Sequence, residues 1–265
     1  MVAGVSSTSF TASIIPKNAV VELEPQSEPS VTMCPVHRDA PSQFPRIIGR
    51  YQAAFAKHGD SLESVLWTKG RQKIRFVVLT AHIADEGFSI LDFGCGLAHL
   101  KTYLDERFRS YRYSGADFVP EFIEYVAKRH SGATFHLADS PIQVPGDFDH
   151  IVMSGIFNLR YGNDDESTFE IVKRILRQAF AKARVSLAVD FRRDRTNYRE
   201  QDAYHQSLPA LYRFACDELS PRLKFDLSYM PYEYAMTVFK ESAAAEPDNV
   251  YRGYERLTLR TETSK

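Results

Sequence analysis

Two patterns of hydrophobic and polar residues alternate along the chain from about residue 46 to residue 240. Short runs rich in Val, Ile, Leu and Phe predict strands, and apolar residues at i, i+3, i+4 and i+7 predict amphipathic helices. The predicted strands are 89–93, 111–117, 133–139, 147–155, 185–191, 224–230 and 234–240. Helices are predicted at 46–59, at about 69–85, from 97, from 120, from about 166 and at 209–219.

Three of the predicted helices have an apolar stripe that we expect to be buried. The stripes are Ile74, Val77, Val78 and Ala81 in the second helix, Val172, Ile175, Leu176 and Ala179 in the fifth, and Leu208, Leu211, Tyr212 and Ala215 in the last.

The repeated alternation of strand and helix predicts an α/β fold with a doubly wound, mostly parallel sheet and helices on both faces. The connection between the last two of the seven strands is too short for a crossover helix, so these strands should form an antiparallel hairpin at the C-terminal end. We therefore expect one domain at 41–240 with an N-terminal helical cap at 41–86, preceded by a flexible arm at 1–40 and followed by an extension at 241–265.

Composition narrows the classes of partner. The 265 residues carry a formal net charge of −1 with scattered lysine and arginine, which disfavours nucleic acid or an acidic membrane surface as a partner. Cys34, Cys95 and Cys216 are far apart, so we expect a reducing, cytoplasmic setting rather than a disulfide framework. The start of the chain lacks a secretory signal pattern, and no apolar run reaches membrane-spanning length. A homodimer remains compatible with the composition.

Metal ligands are not clustered in the sequence. Cys34 and His37 have the spacing of half a metal site, but no second pair accompanies them. We therefore predict no metal.

A glycine turn follows the first predicted strand, in the stretch Ile90–Leu104. Gly94 and Gly96 would lie at the carboxyl end of that strand, where open α/β sheets bind ligands, and would let a ligand approach the main chain. The third glycine of a dinucleotide motif is absent from this turn, and no basic residue flanks it to hold phosphate. A nicotinamide cofactor is therefore disfavoured.

Acidic residues stand near the ends of three successive strands. Asp92 suits a cationic ligand, Asp117 suits ribose hydroxyls, and Asp139 suits an adenine amino group. Each alone is equally explained as a loop-capping aspartate, but the three together favour a nucleoside cofactor.

In these motifs the chain resembles the class I S-adenosylmethionine-dependent methyltransferases, whose Rossmann-like fold has seven strands. The resemblance spans about residues 54–240 and rests on ILDFGCGLAHL, YSGADFVPEFIEYVAKRH, FHLADS and FDHIVMSGIFNLR. More narrowly, the chain resembles a poorly characterised bacterial subgroup through Trp67 with Gly70–Phe76, Ser154–Asn158, Tyr204–His205 and Tyr229–Glu233. Ala98 stands where the family has its third glycine.

The resemblance implies S-adenosylmethionine as the cofactor. It implies contacts with the methionine part from Phe93, Gly94, Cys95, Gly96 and Leu97, with Asp92 near them. Asp117 would bind the ribose, and Phe118 would lie beside the adenine. Asp139 and Ser140 would lie at the edge of the adenine. Ser154 and Gly155 would lie under the sulfonium. Trp67, Gln72 and Arg75 would reach the cofactor from the helix before the first strand and from its entry. Arg75 is equally explained by a solvated helix face.

Methyl transfer is an in-line displacement, so alignment matters more than a catalytic triad. The fourth strand lacks the Asn/Asp-Pro-Pro-aromatic motif of enzymes that methylate bases or protein amides, which favours O- or N-methylation of a small molecule. Phe157, Asn158, Tyr204 and Tyr232 are the candidate substrate-binding residues, although the aromatic ones could equally belong to the core. His205 is the candidate base, or else a histidine that hydrogen-bonds at a helix entry.

Two other classes of function stay open on sequence alone. A catalytically silent cofactor-binding or scaffold protein could share the fold, although intact acidic and glycine positions argue against silence. A nicotinamide-dependent oxidoreductase is the less favoured alternative.

Overall fold

The computed structural model describes residues 43–67, 71–140 and 143–240. The predicted arm at 1–40, the extension at 241–265 and the Cys34–His37 pair lie outside the described residues.

Seven strands form one sheet. They are β1 (Ser89–Phe93), β2 (Arg112–Asp117), β3 (Thr134–Leu137), β4 (Phe148–Met153), β5 (Ala183–Arg192), β6 (Leu223–Asp226) and β7 (Glu233–Phe239). The order across the sheet is β3-β2-β1-β4-β5-β7-β6. The predicted fold class is confirmed.

The last strand runs against the rest of the sheet. Strands β1 to β5 pair in parallel, whereas β7 is antiparallel to β5 on one side and to β6 on the other. The predicted hairpin is therefore present, and its second strand is inserted between β5 and β6. This insertion brings Glu233, the first residue of β7, opposite Arg192 at the carboxyl end of β5.

The described residues contain six α-helices, of which two precede β1 and the other four connect strands. They are α1 (Phe44–His58), α2 (Gln72–Thr80), α3 (His99–Arg107), α4 (Pro120–Arg129), α5 (Asp165–Lys182) and α6 (Leu208–Glu218). Local chemistry sets several boundaries: Pro120 begins α4, and Asp164 caps α5 by accepting a hydrogen bond from the Ser167 amide.

The sheet separates two hydrophobic cores, because successive side chains of a strand point to opposite faces. On one face, Leu91 and Phe93 of β1 pack in a core that includes residues of α5 and α6. On the other face, Ile90 packs in a core that includes residues of α2 and α3. The stripe predicted for α5 is confirmed, since all four of its residues are fully buried.

The face predicted for α2 is wrong. Ile74 and Val77 are 39% and 46% exposed, while Arg75, Phe76, Leu79 and Thr80 are buried. Two polar residues hold buried positions because each has a partner inside: the Thr80 hydroxyl donates to the Phe76 carbonyl, and Arg75 pairs with carboxylates. The helix is also shorter than predicted, ending at Thr80.

The face predicted for α6 is partly wrong. Leu211 and Ala215 are fully buried, but Tyr212 is exposed and Phe214 is buried in its place. Tyr212 projects beside Phe225 of β6 at the edge of the sheet, where its hydroxyl can remain hydrated.

Two histidines share one buried serine on the α2 side of the sheet. The Ser186 hydroxyl lies 2.6 Å from His82 Nε2 and 2.8 Å from His150 Nδ1. Burial, the neighbouring His150 and nearby Lys224 and Arg107 lower the pKa of His82 to about 3. The folded protein therefore holds His82 neutral across the physiological range.

This arrangement predicts acid sensitivity. Below the ordinary histidine pKa of about 6.5, the unfolded chain binds a proton that folded His82 refuses, so stability falls by up to about 1.4 kcal/mol per pH unit until the folded pKa is reached. Urea unfolding followed from about pH 7 to about pH 5 should show a shallower loss in His82→Gln than in the wild type. The exposed His58→Gln on α1 serves as the control, and equal slopes in all three proteins would contradict the prediction.

Candidate active site

A cavity opens at the carboxyl ends of the parallel strands, and we call it the first cavity. Its walls come from α1, the chain before and within α2, the turns after β1 and β2, and the segment after β4. The lining residues are Phe44, Ile47, Ile48, Tyr51, Val65, Trp67, Gln72, Arg75, Gly94, Cys95, Gly96, Asp117, Phe118, Val119, Phe122, Ser154, Gly155, Ile156, Asn158, Leu159 and Tyr161.

The glycine turn after β1 forms one wall of the first cavity. Gly94 and Gly96 have φ angles of +83° and +52°, a region that side chains disfavour. A Cβ on Gly96 would also lie 2.9 Å from Val65 Cγ1. The amides of Gly94 and Cys95 both donate to the Ala116 carbonyl, so the turn is anchored to the end of β2.

Asp117 ends β2 and is tied to the backbone around it. Its Oδ2 accepts from the Gly96 amide at 2.8 Å, and its Oδ1 accepts from the amides of Phe118 and Val119. Burial raises the pKa of Asp117, and these amides counteract the rise by stabilising the charged form. Asp117 therefore shapes the turns as well as facing the first cavity.

Asp92 does not line the first cavity. Its side chain is buried on the α2 side of the sheet, where it accepts a hydrogen bond from the Tyr113 hydroxyl at 2.7 Å. Burial raises the pKa of Asp92 to about 7. Alternate residues of β1 face opposite sides of the sheet. Asp92 is one residue before the end of β1, and its side chain points into the core rather than toward the first cavity.

Asp139 and Ser140 follow β3 at the same edge of the sheet but do not line the first cavity. Asp139 Oδ2 is buried and has no hydrogen-bond partner among the described residues. A buried acceptor without a partner costs free energy, so this oxygen is suited to a ligand that donates a hydrogen bond.

Arg75 forms the centre of a buried ion cluster between the first cavity and β7. Its Nε donates to Glu233 Oε2 at 2.7 Å, its Nη2 donates to Glu233 Oε1, and Asp190 lies 3.8 Å from Nε. The Trp67 ring stacks on the guanidinium at 3.8 Å. Burial opposes the charge of Arg75, but Asp190 and Glu233 outweigh it and raise its pKa. The alternative of a solvated Arg75 is wrong, since the side chain is 3% exposed.

Asp190 connects this cluster to the segment after β4. Its Oδ2 accepts from the Ser154 hydroxyl at 3.0 Å, and its Oδ1 accepts from the Gly155 amide at 2.7 Å. Burial raises the pKa of Asp190 despite the nearby Arg75. A Cβ on Gly155 would lie 3.0 Å from Arg75 Nη1, so only glycine leaves room for the guanidinium there.

A second cavity adjoins the first, and Trp67 lines both. It lies between the loop after β5 and the turn that leads into β7. The lining residues are Leu66, Trp67, Arg71, Arg192, Thr196, Tyr198, Glu200, His205, Met230, Pro231, Tyr232 and Glu233.

His205 is placed in the second cavity with one ring nitrogen engaged. Its Nδ1 lies 2.9 Å from the Arg193 carbonyl, which can only accept, so Nδ1 carries the proton. Its Nε2 is then an acceptor, and it is buried without a hydrogen-bond partner among the described residues. One ring nitrogen of His205 therefore supports the loop, and its role as a base stays a prediction.

Solved structures share this fold. Magnesium protoporphyrin IX methyltransferase of Synechocystis with bound S-adenosylmethionine superposes with a TM-score of 0.55 at 12% identity, covering 77% of this chain and 100% of that one. The 1,6-didemethyltoxoflavin-N1-methyltransferase of Burkholderia thailandensis superposes with a TM-score of 0.55 at 15% identity, covering 80% and 95%.

Sequence comparison identifies a methyltransferase domain within the chain. Residues 90–179, which include the glycine turn, Asp117 and Ser154, match the family model of a methyltransferase domain. The putative methyltransferase Rv1506c of Mycobacterium tuberculosis is 28% identical over 166 residues, 60% of this chain and 97% of that protein. The family model, this relative and the superposed structures together support a class I S-adenosylmethionine-dependent methyltransferase. The narrower bacterial subgroup stays a prediction.

The methyltransferase places most of the predicted cofactor residues around the first cavity. Trp67, Gln72, Arg75, Gly94, Cys95, Gly96, Asp117, Phe118, Ser154 and Gly155 all line it. Phe93 and Leu97 do not, because their side chains are packed in the cores. Sequence reasoning missed the wall from α1, where Phe44, Ile47, Ile48 and Tyr51 repeat at i, i+3, i+4 and i+7.

The predicted substrate-binding residues lie partly at the two cavities and partly in the core. Tyr232 lines the second cavity, and Asn158 lines the first, with its Oδ1 buried and unpartnered among the described residues. Phe157 and Tyr204 are wrong: Phe157 is fully buried and stacks on Phe191, and the Tyr204 hydroxyl donates to Gln206 inside the core. Strand-end position could not distinguish these rings from wall residues, because each follows a buried strand or precedes a helix.

Within the described parts of the methyltransferase, no group of three or more His, Cys, Asp and Glu side chains is arranged to hold a metal ion. No helix in those parts is long and apolar enough to cross a membrane.

Proposed function

We propose that this methyltransferase methylates a small molecule at a hydroxyl or amino group, with the cofactor in the first cavity and the acceptor in the second. The observation that carries the proposal is that Trp67 lines both cavities, while His205 lines the second and has an Nε2 without a hydrogen-bond partner among the described residues. The methyl acceptors in the titles of the superposed structures, a porphyrin and a toxoflavin precursor, are small molecules and support this class of substrate.

The residues of the first cavity fit the cofactor. Asp117 lines the first cavity at the end of β2, where its carboxylate suits ribose hydroxyls. Asp139 lies outside the lining of this cavity, after β3 at the same edge of the sheet, and its Oδ2 can accept a hydrogen bond from the adenine amino group. Arg75 Nη1 forms no hydrogen bond to the described residues and is available for a carboxylate in the first cavity. Phe44 and Phe118, which meet edge to face with ring centroids 4.9 Å apart, provide an apolar wall.

When bound, S-adenosylmethionine supplies an electrophilic methyl group, and its sulfur keeps the electron pair of the breaking carbon–sulfur bond. The protein then has to align the acceptor, exclude water and receive a proton. His205 Nε2 takes the proton from the acceptor oxygen or nitrogen as that atom bonds to the methyl carbon. The Nδ1–H bond to the Arg193 carbonyl holds the ring in the tautomer that can do so.

Calorimetry tests the cofactor site. S-adenosylmethionine and its demethylated product should bind and NADH should not. Asp139→Ala should weaken cofactor binding without lowering the free energy of unfolding, because no described residue donates a hydrogen bond to its Oδ2. Asp117→Ala should weaken binding by roughly 2–4 kcal/mol and also destabilise the fold, because three backbone amides lose their acceptor. Asp139→Ala with unchanged cofactor affinity would show that the adenine lies elsewhere.

Turnover tests the reaction. The wild type should transfer labelled methyl groups from S-adenosylmethionine to a component of a small-molecule extract, and the product should be detectable by mass spectrometry. Cofactor binding without transfer to any component would favour the catalytically silent alternative. Transfer to protein or nucleic acid alone would contradict the proposed class of acceptor.

A further inference from the structure

Six of the twelve residues that line the second cavity are apolar or aromatic. Leu66, Met230 and Pro231 supply aliphatic surface, and Trp67 supplies a ring that is buried on its other side against Arg75. Tyr198 and Tyr232 lie on the two loops that border the cavity, and both are exposed. Three aromatic rings among the lining residues suit a planar aromatic body, which stacks on such surfaces with a favourable offset geometry.

The polar group inside the second cavity restricts what the ligand can present. His205 is 8% exposed, and its Nδ1 proton is already donated to the Arg193 carbonyl. The unpartnered Nε2 can therefore only accept a hydrogen bond. A ligand that satisfies it must carry an O–H or N–H, which a carboxylate, an ether or a thioether lacks.

The charges around the second cavity leave one cation uncompensated. Arg192 forms an ion pair with Glu200 at 3.0 Å, and Glu233 forms an ion pair with Arg75. Arg71 lines the cavity, is exposed, and forms no ion pair or hydrogen bond through its side chain to the described residues. It is also the residue before the first turn of α2, where the helix dipole adds positive potential.

We propose that the second cavity takes an aromatic anion that carries an O–H or N–H, such as a phenolic carboxylate, with the donor at His205 and the anionic group toward Arg71. This substrate class rests on the proposed function, because it assigns the second cavity to the methyl acceptor.

The test uses the full chain loaded with S-adenosylhomocysteine, so that binding is measured without turnover. Calorimetric probes are 4-hydroxybenzoate and the longer 4-hydroxycinnamate, their methyl esters, which lack the charge, and benzoate, which lacks the hydroxyl. Each phenolic acid that binds should bind at least about tenfold tighter than its ester, and 4-hydroxybenzoate at least about tenfold tighter than benzoate. Arg71→Gln should abolish the preference for acid over ester, whereas Arg112→Gln, an exposed arginine at the far end of β2, should retain it.

Equal binding of acid and ester, an unchanged preference in Arg71→Gln, or no binding of either phenolic acid would overturn this substrate class. Failure of S-adenosylhomocysteine to bind in the first step would instead overturn the proposed function, so the two failures are distinguishable.

Discussion

Replacing Arg75 with methionine is expected to lower the free energy of unfolding by about 3–5 kcal/mol near neutral pH. Asp190 and Glu233 would then lie buried together with no cation between them, because Arg75 is the side chain that pairs with both. Methionine retains much of the apolar length that packs under Trp67, so the loss reports the missing charge rather than an emptied space.

A matched control is available on the surface. Arg177 pairs with Glu218 through two nitrogens and lies over the Phe214 ring, as Arg75 does with Glu233 and Trp67, but it is 41% exposed. Arg177→Met should cost less than about 1 kcal/mol, because solvent screens exposed pairs. Urea unfolding measures both, and equal losses would contradict the assignment of a buried cluster.

The loss from Arg75→Met should also depend on pH. Burial already raises the pKa of Asp190, and the loss of Arg75 should raise it further above its value in the unfolded chain. Folding then favours the protonated form of Asp190, so the variant should recover stability as pH falls. The double variant Arg75→Met, Glu233→Gln should be more stable near neutral pH than Arg75→Met alone.

Replacing His205 with alanine is expected to slow methyl transfer by about a hundredfold or more. Cofactor affinity should stay within about threefold, a change below roughly 1 kcal/mol, because His205 lines the second cavity and not the first. Single-turnover rates with an acceptor from the turnover screen separate these quantities, and His58→Ala, on the exposed face of α1, is the control.

The pH profile distinguishes a base from a loop support. With a base, the pH profile of the transfer rate should differ between the wild type and His205→Ala, whereas a loop support alone should leave the shape of the profile unchanged. A variant that transfers methyl groups at the wild-type rate near neutral pH would show that alignment alone carries the catalysis.

Sequence pattern was sufficient for the sheet and for the location of the site. Strand-forming segments alternate with helix-forming ones along most of the chain, and parallel strands need crossover connections, so the carboxyl edge and its glycine turn follow from this alternation. The faces of α2 and α6 were less predictable, because a count of apolar residues misses buried polar residues whose partners are distant. Arg75 is the clearest case, since its partner Glu233 is 158 positions away.

The division between wall and core residues was also beyond the sequence. Asp92 and Asp117 look alike as acids near strand ends, but strand alternation turns Asp92 into the core and leaves Asp117 at the edge. Phe157 and Tyr232 look alike as aromatic residues in connecting segments. Only the packing of Phe191 against Phe157 distinguishes the buried ring from the exposed one.

The inserted strand β7 has a consequence for the order of folding. Glu233 at its start is held by Arg75, which precedes β1, so this contact closes a loop of 158 positions along the chain. Closing a loop of that length costs roughly 4–5 kcal/mol of chain entropy before any contact repays it. We therefore expect the contact between Arg75 and Glu233 to form late in folding, after the parallel part of the sheet. During synthesis, a nascent chain that stops before β7 would hold Arg75 and Asp190 without the carboxylate that completes their cluster.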